Sequence, residues 1–159
     1  MWDRFFSCEN PSFDSLETDK CRSIYSFWQS QCDGYDLPDC SHLKPSDIAG
    51  FLSSVMMVDV EVGSFTDYRL MYRGSDLEDI TADLNITDSI FHKPQYSDFV
   101  SLFDWVRQQK KPYFFKGVLT NHKSSELHAL VMPFKHGTDS VKRLLLIMDR
   151  VAVEEALSA

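Results

Sequence analysis

Hydrophobic positions recur at helical steps near the start of the chain. Over residues 14–34 they follow one another every three or four residues, which predicts an amphipathic helix with one buried face. These positions are Cys21, Ile24, Tyr25, Trp28 and Cys32. Asp14 and Glu17 have the spacing of a capping box, so we expect this helix to begin at about residue 14. A second stretch at helical spacing, with Pro45 in its first turn, predicts another helix up to about residue 55.

The pattern then changes to that of strands. Residues 55–61 are short and rich in Val and Met, and residues 67–73 alternate between two faces. After a short helix, apolar residues from Tyr96 to Val106 predict a longer helix, which Pro112 ends. We therefore expect two strands followed by helices in the first two thirds of the chain.

Three more strand-like stretches complete the pattern. They cover residues 113–120, 126–134 and 141–149, and the loops between them have the length of hairpin loops. Strands joined in this way must be antiparallel. The pattern predicts an α+β fold, a five-stranded antiparallel sheet with helices between strands two and three. Because residues 144–148 are continuously apolar, that strand should be covered on both faces, and the helix at 14–34 is the natural cover for one of them.

Length, charge and cysteine content limit the class of protein. The chain has 159 residues, about one domain, and a net charge of -8, which disfavours nucleic acid and anionic membranes as partners. The beginning lacks the apolar run of a signal peptide, so a cytoplasmic location with reduced cysteines is expected. The four cysteines all fall within residues 8–40 and form no tight C-x2-4-C pair, so no metal site is predicted.

A series of short motifs carries a family resemblance. In chain order they are Phe27-Trp28, Leu37-Pro38, Pro45-Ser46-Asp47-Ile48, Val58-Asp59-Val60, Tyr72-Arg73-Gly74-Ser75, Lys111-Pro112 and Met132-Pro133-Phe134. Together with the order of elements, they resemble PAS-domain proteins, most closely the short single-domain PAS proteins of alphaproteobacteria. Residues 81–86 keep the Asp of a segment of that family but lack its two glycines. The resemblance implies a PAS-like domain over 35–151, preceded by a loosely ordered leader at 1–13 and the cap helix at 14–34, and followed by a tail at 152–159.

The resemblance also implies a role. PAS domains of this kind are non-catalytic sensory or regulatory modules that act through small-ligand or protein–protein binding, here with an apolar or amphipathic ligand and with a second copy or another signalling protein. A flavin adduct is not expected because no cysteine follows Cys40, and haem is not expected because residues 95–110 contain no histidine. The ligand itself is left unidentified.

Two alternatives remain open at this stage. The chain could be a purely structural interaction protein whose core is filled by its own side chains, as its 12 Phe residues would allow. It could also be a small α+β enzyme with an acid or base in a cavity, for which Asp59, Asp83 and His128 are the candidates.

The candidate site residues are aromatic or polar side chains on the predicted strands and helices. The candidates for a ligand cavity are Tyr72, Phe91, Trp105, Phe115 and His128, and those for interaction through the cap helix are Ile24, Tyr25 and Trp28. Ordinary core packing is the competing interpretation for the aromatic residues, and a strand histidine that faces solvent or bonds to the backbone is the one for His128. No catalytic or metal-ligating residue is predicted.

Overall fold

A computed structural model describes residues 2–32, 34 and 36–153. Its strands are β1 (Trp2–Glu9), β2 (Val55–Val62), β3 (Thr66–Arg73), β4 (Tyr113–Leu119), β5 (Ser125–Lys135) and β6 (Val141–Ala152). Its α-helices are α1 (Asp19–Gln31), α2 (Glu78–Asp83) and α3 (Ser97–Gln109). Short 3₁₀ helices are formed by Phe13–Ser15, Cys40–His42, Pro45–Ser54, Ser75–Leu77 and Pro94–Tyr96. The tail predicted for 152–159 lies outside the described residues, except for Ala152 and Val153.

The strands form one open antiparallel sheet in the order β1-β4-β5-β6-β2-β3. The α+β class predicted from the sequence is therefore confirmed. Strands β2 to β6 are contiguous in this sheet, and α2 and α3 lie between β3 and β4 along the chain. The sheet has six strands rather than the predicted five, because β1 is added at the edge beside β4.

The additional strand is formed by residues that the sequence predicted as a loosely ordered leader. Strand β1 pairs with the full length of β4, from Glu9 opposite Tyr113 to Trp2 opposite Leu119. A shift of register between Trp2 and Arg4 interrupts the regular alternation of this strand. This irregularity conceals β1 from a search for the two-residue period that predicted the strand at 67–73.

Helix α1 begins later than the capping box at residues 14–17 predicted. Leu16 is extended, with φ -85° and ψ 134°, and its side chain is completely buried. One of the first free N–H groups is instead satisfied by Thr18, whose hydroxyl oxygen accepts a hydrogen bond from the Cys21 N–H at 3.2 Å. The cap helix predicted over 14–34 therefore covers Asp19–Gln31. The second predicted helix is the 3₁₀ helix Pro45–Ser54, which is kinked at Ile48.

Helices α1 and α3 cover opposite faces of the sheet. Neighbouring residues of a strand point to opposite faces, and in β4 Lys116 contacts Glu17, just before α1, whereas Tyr113 and Phe115 face α3. The Trp28 indole N–H of α1 donates to the Pro133 carbonyl of β5 at 2.9 Å. The sequence prediction that the strand at 144–148 is covered on both faces agrees with the burial of all five of its residues.

The cap-helix residues are part of this core. Ile24, Tyr25 and Trp28 are only 0%, 6% and 8% exposed, and they pack in one hydrophobic cluster with the sheet. The surface they contact in this structure is the sheet of their own chain. Among the helices of the described ranges, none combines the length and the apolar character needed to cross a membrane.

Candidate functional site

A groove of about 550 Å³ lies on the α3 side of the sheet, between α3 and the edge formed by β1 and β4. We call it the aromatic groove. It is lined by Trp2, Phe5, Glu9, Gln95, Asp98, Phe99, Ser101, Leu102, Trp105, Tyr113 and Phe115. Its volume falls within the range of about 300–1,000 Å³ that is typical of small-molecule sites.

Strand β4 forms the floor of the aromatic groove. Tyr113, Phe115 and Gly117 alternate with side chains on the α1 side, so they share one face. Phe115 is 3% exposed and is fixed by its neighbours. Gly117 provides the room for β1 to approach, because a Cβ at this position would lie only 2.5 Å from Cε3 of Trp2 and 2.7 Å from the carbonyl oxygen of Arg4.

Strand β1 forms one wall with two aromatic side chains. The Trp2 and Phe5 rings are 5.2 Å apart between centroids. Phe5 stacks on Phe115 at 5.9 Å, and Trp2 meets the same ring edge-on at 6.2 Å. Aromatic pairs at such distances are attractive. Phe5 nevertheless remains 52% exposed, so this wall presents apolar surface to the groove.

Helix α3 forms the opposite wall. Phe99, Leu102 and Trp105 follow one another at steps of three residues and line the groove together. The Trp105 ring contacts the Tyr113 ring at 5.6 Å, which joins this wall to the floor. The three elements therefore meet in a continuous aromatic lining.

The polar groups of the aromatic groove are acidic or neutral. Glu9 lies at the end of β1, and Asp98 lies in the first turn of α3, with the neutral Gln95 and Ser101 nearby along the chain. Among the described residues that line the groove, none is Lys or Arg. Its electrostatic character therefore favours a neutral or cationic group over an anionic one.

The structure places two of the five predicted cavity residues in the aromatic groove. Trp105 and Phe115 line it from α3 and β4. Phe91 is completely buried instead, with its ring 5.2 Å from Tyr96 and 5.5 Å from Phe103. Phe91 therefore belongs to the core.

The other two predicted cavity residues lie elsewhere. Tyr72 is 38% exposed on the edge strand β3, and its hydroxyl donates to the Leu52 carbonyl at 2.9 Å. His128 is 1% exposed, and its Nε2 donates to Glu126 at 2.7 Å. Its ring is 5.8 Å from that of Phe114, which points away from the groove on the α1 side. Within the described residues, His128 Nδ1 has no hydrogen-bond partner.

The carboxylates considered for acid–base chemistry are held in separate ion pairs. Asp59 accepts from the Arg143 guanidinium at 2.7 and 3.3 Å. Asp83 pairs with Arg150 at 2.5 Å and with His122 at 2.9 Å. Neither carboxylate lines the aromatic groove. The structure therefore does not assemble the three enzyme candidates into one site.

Sequence reasoning missed the contribution of β1 to the site. Trp2 and Phe5 are three residues apart, so a regular strand would place them on opposite faces. The shift of register between Trp2 and Arg4 brings both to the groove. The only signal in the sequence was an aromatic cluster, Trp2, Phe5 and Phe6, in a segment without a clear period.

Comparison of the sequence with protein-family models and with curated proteins found no match.

Proposed function

We propose that this protein is a non-catalytic sensory or regulatory module of the PAS type, and that its input is a small amphipathic molecule bound in the aromatic groove. The observation that carries this proposal is the groove itself, in which aromatic side chains from β1, β4 and α3 leave a concave apolar space. Concave, mostly apolar sites with a few polar groups are the usual form of small-molecule sites.

The arrangement of the sheet supports the family part of the proposal. Strands β2 to β6 are adjacent and antiparallel, with the helices between the second and the third of them. This is the order of strands and helices expected from the resemblance of the sequence to PAS-domain proteins. Fold alone does not define a function, so the class of ligand is inferred from the chemistry of the groove.

The lining of the groove defines the class of ligand. Its aromatic walls suit an aliphatic or aromatic body, and each methylene that becomes buried contributes about 0.8 kcal/mol. The acidic residues Glu9 and Asp98 suit a neutral or cationic head group. A fatty acid or another anionic amphiphile would bring like charges together and should bind more weakly.

The position of β1 suggests how binding would be transmitted. Strand β1 is the edge strand beside β4, and it carries Trp2 and Phe5 in the groove wall and Phe6, 52% exposed, outside it. A ligand that touches both α3 and β1 favours the state in which β1 is docked, to the extent that it binds that state more tightly. The docked edge and Phe6 would then form the surface for a second copy of the chain or another signalling protein.

The proposal is tested by binding of amphiphiles that share a chain and differ in the head group. Intrinsic fluorescence reports on the site, because Trp2 and Trp105 line the groove while Trp28 is buried beneath α1. We expect octyltrimethylammonium and 1-octanol to bind, and octanoate to bind at least tenfold more weakly than the cation. Shortening the octyl chain should weaken binding by about fourfold per methylene. Sedimentation with and without the cation would show whether occupancy changes self-association.

Two substitutions on one helix provide a matched control. Ser101→Phe places a large side chain in the groove and should abolish binding, whereas Gln108→Phe places the same side chain on an exposed position of α3 outside it. Equal binding by both variants would contradict the proposed site. If none of the amphiphiles binds the wild-type protein, the alternative of an interaction protein without a ligand would take its place.

A further inference from the structure

Two segments far apart in the chain are joined at one end of the sheet. The Lys135 N–H donates to the Pro38 carbonyl at 3.0 Å, and Asp39 forms a parallel bridge with Lys135. The loop after α1 is thereby held beside the turn between β5 and β6. This junction lies outside the set of residues that line the aromatic groove.

The Asp39 carboxylate stabilises this junction by accepting hydrogen bonds from both segments. Its Oδ1 accepts from the Ser41 N–H at 2.9 Å and from the Ser41 hydroxyl at 2.7 Å. Its Oδ2 accepts from the Gly137 N–H at 3.0 Å, across the two segments. The carboxylate therefore has a defined position with respect to the side chains on both segments.

A thiol and an imidazole lie beside this carboxylate. Cys40 Sγ is 3.5 Å from His136 Nδ1, and His136 Nδ1 is 3.9 Å from Asp39 Oδ1. The three ligand atoms all lie within 4.8 Å of one another. In a tetrahedral zinc site with Zn–S of about 2.3 Å and Zn–N and Zn–O of about 2.1 Å, the S···N edge is about 3.6 Å and the N···O edge about 3.4 Å. The S···N distance already matches, and the N···O distance needs to close by about 0.5 Å.

We propose that Asp39, Cys40 and His136 form a binding site for Zn²⁺. One sulfur, one nitrogen and one oxygen ligand suit this borderline-soft ion. On binding, the Cys40 thiol loses its proton to solvent and the thiolate ligates the metal. When the metal binds, Asp39 Oδ1 loses the hydrogen bond from the exposed Ser41 hydroxyl and ligates the metal instead. It keeps the hydrogen bond from the Ser41 N–H.

Two of the three proposed ligands also line a polar cleft. Cys40 and His136 line a cavity of about 400 Å³ together with the acidic Asp59 and Glu61 and the basic Lys142 and Arg143. Three protein ligands with a fourth position open to solvent are characteristic of zinc sites that also bind water or a further ligand.

A second group of potential ligands is less suited to a metal. Glu17, Glu126 and His128 also lie within 4.8 Å of one another. However, Glu17 is already paired with the Lys116 ammonium, and Glu126 accepts from His128. A cation there would have to displace a charge that the protein itself supplies, whereas the junction at Asp39 has no Lys or Arg within ion-pair distance among the described residues.

The test uses Co²⁺ as a spectroscopic substitute for Zn²⁺ in the full-length, reduced protein after treatment with a chelator. We expect one equivalent of Co²⁺ to bind with a thiolate-to-cobalt charge-transfer band in the near ultraviolet, and Zn²⁺ to displace it. At a Zn²⁺ concentration 100-fold above its Kd, the melting temperature should rise by about 5–10 °C. Wild-type protein that binds no stoichiometric Co²⁺, or binds it without the charge-transfer band, would overturn the proposal.

Matched variants identify the ligands. Cys40→Ser should remove the charge-transfer band, and Cys32→Ser, a half-buried cysteine elsewhere in the loop region, should retain it. His136→Ala should weaken binding by at least tenfold, while His42→Ala, only two residues from Cys40, should not. A charge-transfer band that survives in Cys40→Ser, or an effect of His42 in place of His136, would show that the site has been assigned wrongly. These outcomes are independent of ligand binding in the aromatic groove.

Discussion

Substitution of Gly117 by alanine should displace β1 from the sheet and open the aromatic groove. An added Cβ would lie 2.5 Å from Cε3 of Trp2 and 2.7 Å from the Arg4 carbonyl oxygen. Carbon atoms pack at about 3.5–4.0 Å, so the neighbours must move by about 1 Å. The Trp2 ring can rotate, but the Arg4 carbonyl belongs to the backbone of β1 and moves only with the strand.

The size of the effect follows from this geometry. Insertion of a methyl group into a packed site typically costs about 1–3 kcal/mol. Because β1 is an edge strand, paired only with β4 in the described sheet, it can relieve the clash by separating from β4. We therefore expect a decrease in the free energy of unfolding of about 1–3 kcal/mol, with the loss of structure confined to β1.

Two measurements check this expectation. Urea unfolding gives the change in free energy, and amide hydrogen exchange should show reduced protection in Trp2–Glu9 while β5 and β6 stay protected. Gly50→Ala is the matched control, because an added Cβ there meets no atom within 4 Å and should change stability by no more than about 0.5 kcal/mol. If Gly117→Ala left both the stability and the protection of β1 unchanged, the argument for a close β1–β4 contact would be refuted.

Two further predictions concern buried groups whose ionisation is suppressed. Burial raises the pKa of the Cys21 thiol to about 11, above its ordinary value of 9.0, so only the unfolded chain ionises it between these values. The stability from this group is complete below pH 9 and decreases above it. Urea unfolding should show a loss of roughly 1 kcal/mol between pH 8 and 10 that is absent in Cys21→Ala. Burial and the Asp104 carboxylate raise the pKa of Tyr68, whose hydroxyl donates to Asp104 at 2.5 Å and accepts from Arg107 at 3.1 Å. Tyr68→Phe should lower the free energy of unfolding by about 1 kcal/mol at pH 7, since water can replace the hydroxyl at its half-exposed partners, and an unchanged urea midpoint would contradict this.

The strands that could be predicted are those with a distinctive local sequence, either alternating residues, as in β3, or a continuous apolar run, as in β6. The strand predicted at 113–120 is observed at Tyr113–Leu119, and that at 126–134 is observed at Ser125–Lys135. Most of their side chains are buried between helices on the two faces of the sheet, so both segments are strongly apolar and the sequence alone indicates them. Helix α3 was found for the same reason, since one of its faces packs on the sheet.

Local irregularities account for the strand that was missed and for the helix whose start was predicted too early. The change of register near Arg4 conceals β1, and the extended, buried Leu16 moves the start of α1 past residues that would otherwise cap a helix. In both places the packing of a side chain against a distant element overrides the local preference of the backbone. The local sequence pattern does not show which distant element a side chain will contact.

The same limit applies more strongly to the candidate sites, because each joins residues from separate elements. Phe115 and Trp105 could be proposed from their own strand and helix, but their neighbour Trp2 depends on the pairing of β1 with β4. The proposed zinc ligands Cys40 and His136 are 96 residues apart and meet only because two loop segments form a bridge. Spacing rules for zinc sites detect ligand pairs within one turn or loop. A site formed by two loop segments that are distant in sequence has no such spacing. In this protein, the proposed zinc site can therefore be identified only from the folded structure, in which the sheet brings the two loops together.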